Sequence, residues 1–129
     1  MKILGGCHCG NVRFEISAKP LSVCTCYCRT CQKISGSTST TAADFIKNDF
    51  ALFQGQLKQY VSSKKVVRSF CEDCGSHISY SNTDYPDRIE IFVGSFDYSE
   101  EFPTEVHTWV SHKSKWVKIC DSLPQHKQD

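Results

Sequence analysis

Cys24-Thr25-Cys26-Tyr27-Cys28-Arg29-Thr30-Cys31 places four cysteines within eight residues. No turn or core requirement calls for thiols at that density, so the stretch has to be read as sulfur chemistry, either a metal site or a redox site. Two more pairs flank it, Cys7-His8-Cys9 upstream and Cys71-Glu72-Asp73-Cys74 downstream. Redox C-x-x-C motifs usually sit in a thioredoxin-like βαβ pattern, which this chain lacks. Metal coordination is therefore the reading from which the rest of the chain is taken.

A chain of 129 residues, 40% hydrophobic and 22% charged, has the length and composition of one domain with a modest core. We expect a single zinc-binding domain over residues 3–125 and a frayed polar tail at 126–129. A formal net charge of +1 supplies no global field for nucleic acid or anionic lipid, so neither is expected as a partner. Met1-Lys2-Ile3-Leu4-Gly5-Gly6 carries no hydrophobic run of signal-peptide length. No stretch approaches the roughly 20 apolar residues of a membrane span. The expectation is a soluble, cytoplasmic protein. Nine cysteines, an odd number in close pairs without a secretion signal, argue against a disulfide framework.

Short alternating stretches dominate the remainder. Val12, Phe14 and Ile16 share one face of a half-buried strand, and Leu21 to Cys26 runs extended into the cysteine cluster. Gln32 to Thr41 reads as a loop followed by a strand. Phe50 and Leu52 alternate ahead of a turn at Gln54-Gly55, and Leu57–Val61 with Val66–Phe70 forms a hairpin joined by Ser62-Ser63-Lys64. Gly75, directly after Cys74, suits a metal knuckle that needs positive φ. Ile78 and Tyr80, then Ile89, Ile91 and Val93, then Val106, Thr108 and Val110 are further strand patterns, and Trp116 to Ile119 closes the domain. With no long amphipathic helix, the fold class is mainly β, short strands stapled by zinc knuckles.

Zinc takes four ligands in a tetrahedron, with sulfurs on the order of 3.8 Å apart. Cys7 and Cys9 with Cys71 and Cys74 complete such a site, and closed sites of this kind are structural. Cys26, Cys28 and Cys31 then hold a second ion with three thiolates and a free fourth position, the arrangement that catalytic zinc uses. Cys24 stands about 13 Å from Cys28 if the chain is extended, too far to share an ion unless the strand bends sharply. Closure of this site by Cys24 or a histidine would make it structural instead. Three thiolates weaken the Lewis acidity of Zn²⁺, so the site is better suited to holding another thiolate than to making hydroxide.

Gly6-Cys7-His8-Cys9-Gly10, Cys26-Tyr27-Cys28-Arg29-Thr30-Cys31 and Phe70-Cys71-Glu72-Asp73-Cys74-Gly75-Ser76 resemble the motifs of the glutathione-dependent formaldehyde-activating enzyme family, which also includes centromere protein V. His107, Trp116, Asp121 and Leu123-Pro124 fall where the family's closing pattern is expected. The resemblance implies several coiled antiparallel β-sheets and two zinc ions per chain, one structural on Cys7, Cys9, Cys71 and Cys74, the other open on Cys26, Cys28 and Cys31. It further implies a carbon–sulfur lyase that adds glutathione reversibly to formaldehyde, giving S-hydroxymethylglutathione. Tyr27 replaces the histidine often found at that position in the family, and Cys24 is an extra thiol.

The other polar residues carry weaker signals. His8 reads as a solvent-facing spacer, and His77, His107, His112 and His126 as surface or hydrogen-bonded histidines. Trp109 and Trp116 read as core or groove lining. Arg29 and Lys33, and secondarily Lys113, Lys115 and Lys118, are candidates to meet glutathione's carboxylates. Two rival functions stay open: a zinc-binding interaction module like centromere protein V, and a relative acting on an aldehyde other than formaldehyde.

Overall fold

The computed structural model describes residues 2–129. The strands are β1 (Ile3–Gly6), β2 (Arg13–Ile16), β3 (Ser22–Cys26), β4 (Thr40–Ile46), β5 (Phe50–Gln54), β6 (Lys58–Val61), β7 (Val66–Phe70), β8 (His77–Asn82), β9 (Arg88–Phe92) and β10 (Val106–Thr108), with one short helix, α1 (Arg29–Ser35), after β3. They form a three-stranded sheet in the order β1-β2-β5 and a seven-stranded sheet in the order β10-β3-β4-β9-β8-β7-β6. Every pairing is antiparallel except β10 with β3, which is parallel. The mainly β expectation holds, gathered into two sheets with one parallel edge.

The period of two in the sequence becomes two unlike faces of the large sheet. Val23, Ala43 and Ile91 lie in one cross-strand register and point into the core with Phe45, Ile89 and Val93. Ile3, Phe14 and Ile16 of the small sheet pack against them. Phe96, from the loop after β9, meets Phe14 and Phe45 edge-on, each at 6.1 Å between ring centres. Burying such side chains contributes about 1.5–3 kcal/mol each and holds the two sheets together. The opposite face carries Ser22, Asp44, Glu90, Tyr80 and Arg68 in a single row across β3, β4, β9, β8 and β7. Beside that row lie Cys24, Ala42 and Phe92, and beyond them Cys26 and Thr40.

Several local expectations change. Ile78 is fully buried in the core while Tyr80 faces the other way, although alternation would put them together. The register passes from Ser69↔Ser79 to Phe70↔His77, so Ile78 is the extra residue of a β-bulge that turns it inward. Residues 29–35, read as the cluster's end and a loop, form α1, capped at its start by the Cys28 side chain and ended by Gly36. Trp116 is 73% exposed rather than core or groove lining. The tail is not frayed: His126 N–H donates to His107 O at 2.8 Å, and Ser111 N–H to Lys127 O at 3.3 Å, so it lies along β10. Gly75 does take positive φ, +78°.

Candidate metal and thiol site

Two groups of cysteines come together, each with its sulfurs within 4.8 Å of one another. The first is Cys7, Cys9, Cys71 and Cys74. Cys7 and Cys9 sit in the turn after β1, and Cys71 and Cys74 in the turn after β7. The cluster therefore ties the small sheet to the large one. Cys7 Sγ lies 3.5 Å from Cys9 Sγ, and Cys9 Sγ 3.8 Å from Cys71 Sγ, the spacing of thiolates on one tetrahedral ion. Hydrogen bonds across the same junction, His8 N–H to Ser76 Oγ at 2.9 Å and Asn11 Nδ2 to Asp73 Oδ2 at 2.9 Å, hold the two turns in place. The Ser76 hydroxyl pulls the Cys74 thiol down to about 5. Such a thiol is ready to coordinate as thiolate.

The second group is Cys26, Cys28 and Cys31. Cys26 ends β3, Cys28 is the N-cap of α1, and Cys31 lies in its first turn. A C-x-x-C step over one helical turn turns both sulfurs the same way, and Cys31 N–H donates to Cys28 Sγ at 3.3 Å. Hydrogen bonding from Cys26 pulls the Cys31 thiol down to about 5, with the Thr40 and Cys28 side chains and the Arg68 charge acting in the same direction. Cys26 is pushed the opposite way by the same contact with Cys31 and by burial. Without a metal the pair shares a proton; a bound cation would displace it. Both donor sets suit a thiophilic divalent ion such as zinc in ligand type and spacing.

The loop that presents this cluster is tied down from behind. Tyr27 is buried and its hydroxyl meets His107 Nδ1 at 3.0 Å, while His107 Nε2 meets Asp121 Oδ2 at 3.0 Å. Gln32 Nε2 donates to Tyr27 O at 2.7 Å and to His112 O at 3.0 Å. Tyr27 thus faces the packing against β10 and supports the loop from behind. His107 is buried and hydrogen-bonded, as the sequence suggests; His8, His112 and His126 are exposed. His77 is neither: both ring nitrogens are buried without a partner, and its ring stacks on Phe92 at 3.9 Å. Burial, with the Arg68 charge, pulls His77 down to about 4 and keeps it neutral.

The three sulfurs open onto a cavity of about 780 Å³. Its floor is the polar face of the large sheet; α1, the Ser62-Ser63 turn and the Trp109–His112 segment form its walls. Cys24 lines this cavity but lies outside the three-sulfur group, and burial followed by the Glu90 charge pushes its thiol up to about 12. Trp109 has φ of +56°, a left-handed conformation rare for an aromatic residue, and it stands at the cavity wall. Arg29 lines the cavity but Lys33 does not, and Lys113 donates to the Val117 carbonyl at 2.6 Å. The residues that the sequence did not single out are Arg68, Tyr80, Asp44 and Glu90. They come from four different strands, and only pairing brings them together.

A mainly β domain with a four-sulfur group joining its sheets and a three-sulfur group facing a cavity has two cysteine groups that could each hold a metal ion. The model of the glutathione-dependent formaldehyde-activating enzyme family matches residues 2–112, and the chain belongs to that family. It is 28% identical over 131 aligned positions to a protein of Halomonas elongata named "Putative glutathione-dependent formaldehyde-activating enzyme", covering 92% of this chain and 82% of that one. A crystal structure of a Rhodobacter sphaeroides protein superimposes with a TM-score of 0.61 at 20% identity, covering 97% of this chain and 99% of that chain, and so shares the fold. Among the described residues, no helix is long and apolar enough to cross a membrane.

Proposed function

We propose that this chain is a zinc-dependent carbon–sulfur lyase that joins the thiol of glutathione to an aldehyde such as formaldehyde, and reverses that addition. The observation carrying the reading is the asymmetry of the two cysteine groups: four sulfurs closed between two turns, three facing a cavity of about 780 Å³. Cys7, Cys9, Cys71 and Cys74 would hold a structural ion, and Cys26, Cys28 and Cys31 a second one. Zinc at the second position would supply a positive centre that keeps an incoming thiol ionised.

The chain's own residues do the rest. The Tyr27–His107–Asp121 and Gln32 hydrogen bonds fix the loop that carries the three sulfurs. In the addition, a bond forms from the substrate sulfur to the carbonyl carbon, the C=O π bond breaks, and the oxygen takes up a proton. Glu90, on the cavity floor with its carboxyl pushed up to about 7 chiefly by burial, is able to hold that proton near neutral pH.

The test is the absorption spectrum of cobalt-substituted protein before and after glutathione. Two bound ions per chain and a ligand-field band that shifts on adding glutathione are expected. Full cobalt loading with an unchanged band would overturn the proposal. Cys28→Ser should bind one ion fewer and lose the response to glutathione while the domain stays folded.

A further inference from the structure

The cavity floor holds a positive charge that coordination chemistry does not use. Arg68, in the middle of β7, is only 5% exposed. Its Nε donates to Ser62 Oγ at 3.2 Å and its guanidinium lies 5.1 Å from the centre of the Tyr80 ring. Its Nη1 is buried without a hydrogen-bond partner among the described residues. A buried guanidinium donor left unpaired is destabilising, so such an atom at a cavity wall points to a ligand.

The neighbouring acids do not fill that role. Asp44 is ion-paired with Arg88. Glu90 makes no ion pair among the described residues, and burial favours its neutral form up to about pH 7. Arg29, the sequence-based candidate, is exposed and donates to Gln32 Oε1 on its own helix. Arg68 is the cation set into the floor itself.

Its position relative to the sulfurs defines what it can hold. β3, which delivers Cys26, and β7 are separated by β4, β9 and β8. Four strand spacings of about 4.8 Å put their backbones about 19 Å apart. Cys26 also lies four residues along β3 from the row that holds Arg68, about 13 Å, so the two stand at opposite ends of the same cavity. A ligand with a sulfur at one end and an anion at the other, of short-peptide length, matches both ends of the cavity.

We propose that Arg68 binds the carboxylate of a peptide-sized thiol whose sulfur lies at Cys26, Cys28 and Cys31. This rests on the thiol-binding reading of that cluster. A charge-assisted hydrogen bond from the guanidinium fixes the acid group, and the Tyr80 ring under it keeps the fork oriented. The cavity thereby selects thiols that carry a carboxylate and rejects neutral ones of the same size.

The experiment measures calorimetric affinities of the full, zinc-loaded chain at pH 7 for glutathione, glutathione diethyl ester and 2-mercaptoethanol. The unaltered protein should prefer the acid over the diester by about ten- to a hundredfold. Arg68→Met, which keeps the aliphatic stem, should remove that preference while leaving the diester's affinity unchanged, and Arg68→Lys should restore part of it. Equal affinity for acid and diester in the unaltered protein would overturn the proposal without any variant. So would an Arg68→Met chain, of full zinc content, that weakens on all three thiols alike. Binding of 2-mercaptoethanol in either case would leave the thiol site itself standing. If no thiol binds, the reading of the cluster falls and this proposal with it.

Discussion

Replacing Glu90 with glutamine should change how stability depends on pH. Glu90 lies on β9 between Tyr80 and Asp44, half-buried in the cavity floor. Burial, then the charges of Asp44 and Cys31, push its carboxyl from an ordinary 4.5 up to about 7, against the pull of Arg68 and Arg88. A zinc ion on three thiolates leaves about one negative charge at the cluster, so metal loading keeps the sign of that influence. The folded chain therefore keeps a proton that the unfolded chain releases between pH 4.5 and 7. Folding is unpenalised below pH 4.5, loses stability as pH rises through that window, and levels off above it. At 1.36 kcal/mol per pH unit the full effect is about 3 kcal/mol.

Glutamine fills the same space and does not ionise. Urea unfolding of the zinc-loaded chain and of Glu90→Gln, from pH 4.5 to 8, reads the difference directly. His77, pulled down by burial, and the thiolates lose stability as pH falls, but both proteins share them and they cancel in the comparison. The variant should gain about 2–3 kcal/mol on the unaltered chain between the two ends of the range. Parallel profiles would refute the assignment of a buried, protonated Glu90.

Two further outcomes test the framework. Cys71→Ser breaks the cluster joining the sheets and should lower Tm by about 10 °C or more; Cys28→Ser should cost far less, because serine keeps the acceptor that caps α1, and scanning calorimetry compares the two. Gly55→Ala, at φ of +80° with its new Cβ against the Asn11 carbonyl, should cost more than about 2 kcal/mol in urea unfolding, and more than Gly75→Ala at φ of +78° with open space around it.

The sequence carried the local chemistry. Cysteine spacing alone picked out Cys7, Cys9, Cys71 and Cys74 as one group and Cys26, Cys28 and Cys31 as another, and the structure brings each group together. Coordination demands close sulfurs, and C-x-C and C-x-x-C supply them within a single turn, so the signal is short in range and survives without tertiary knowledge. The alternation of Val12, Phe14 and Ile16 and the hairpin around Ser62-Ser63-Lys64 were legible for the same reason. The bulge at Ile78 was not, because alternation within β8 carries no record of its register against β7, and neither was the docking of the tail, which depends on pairing with β10. The tertiary structure also decided what faces the three sulfurs. Arg68, Tyr80, Glu90 and Asp44 share no motif, and each alone reads as an ordinary polar residue of a half-buried strand. Pairing β7, β8, β9 and β4 in one register lines them up on the face away from the core. There, the buried charge and the open sulfurs belong to one cavity.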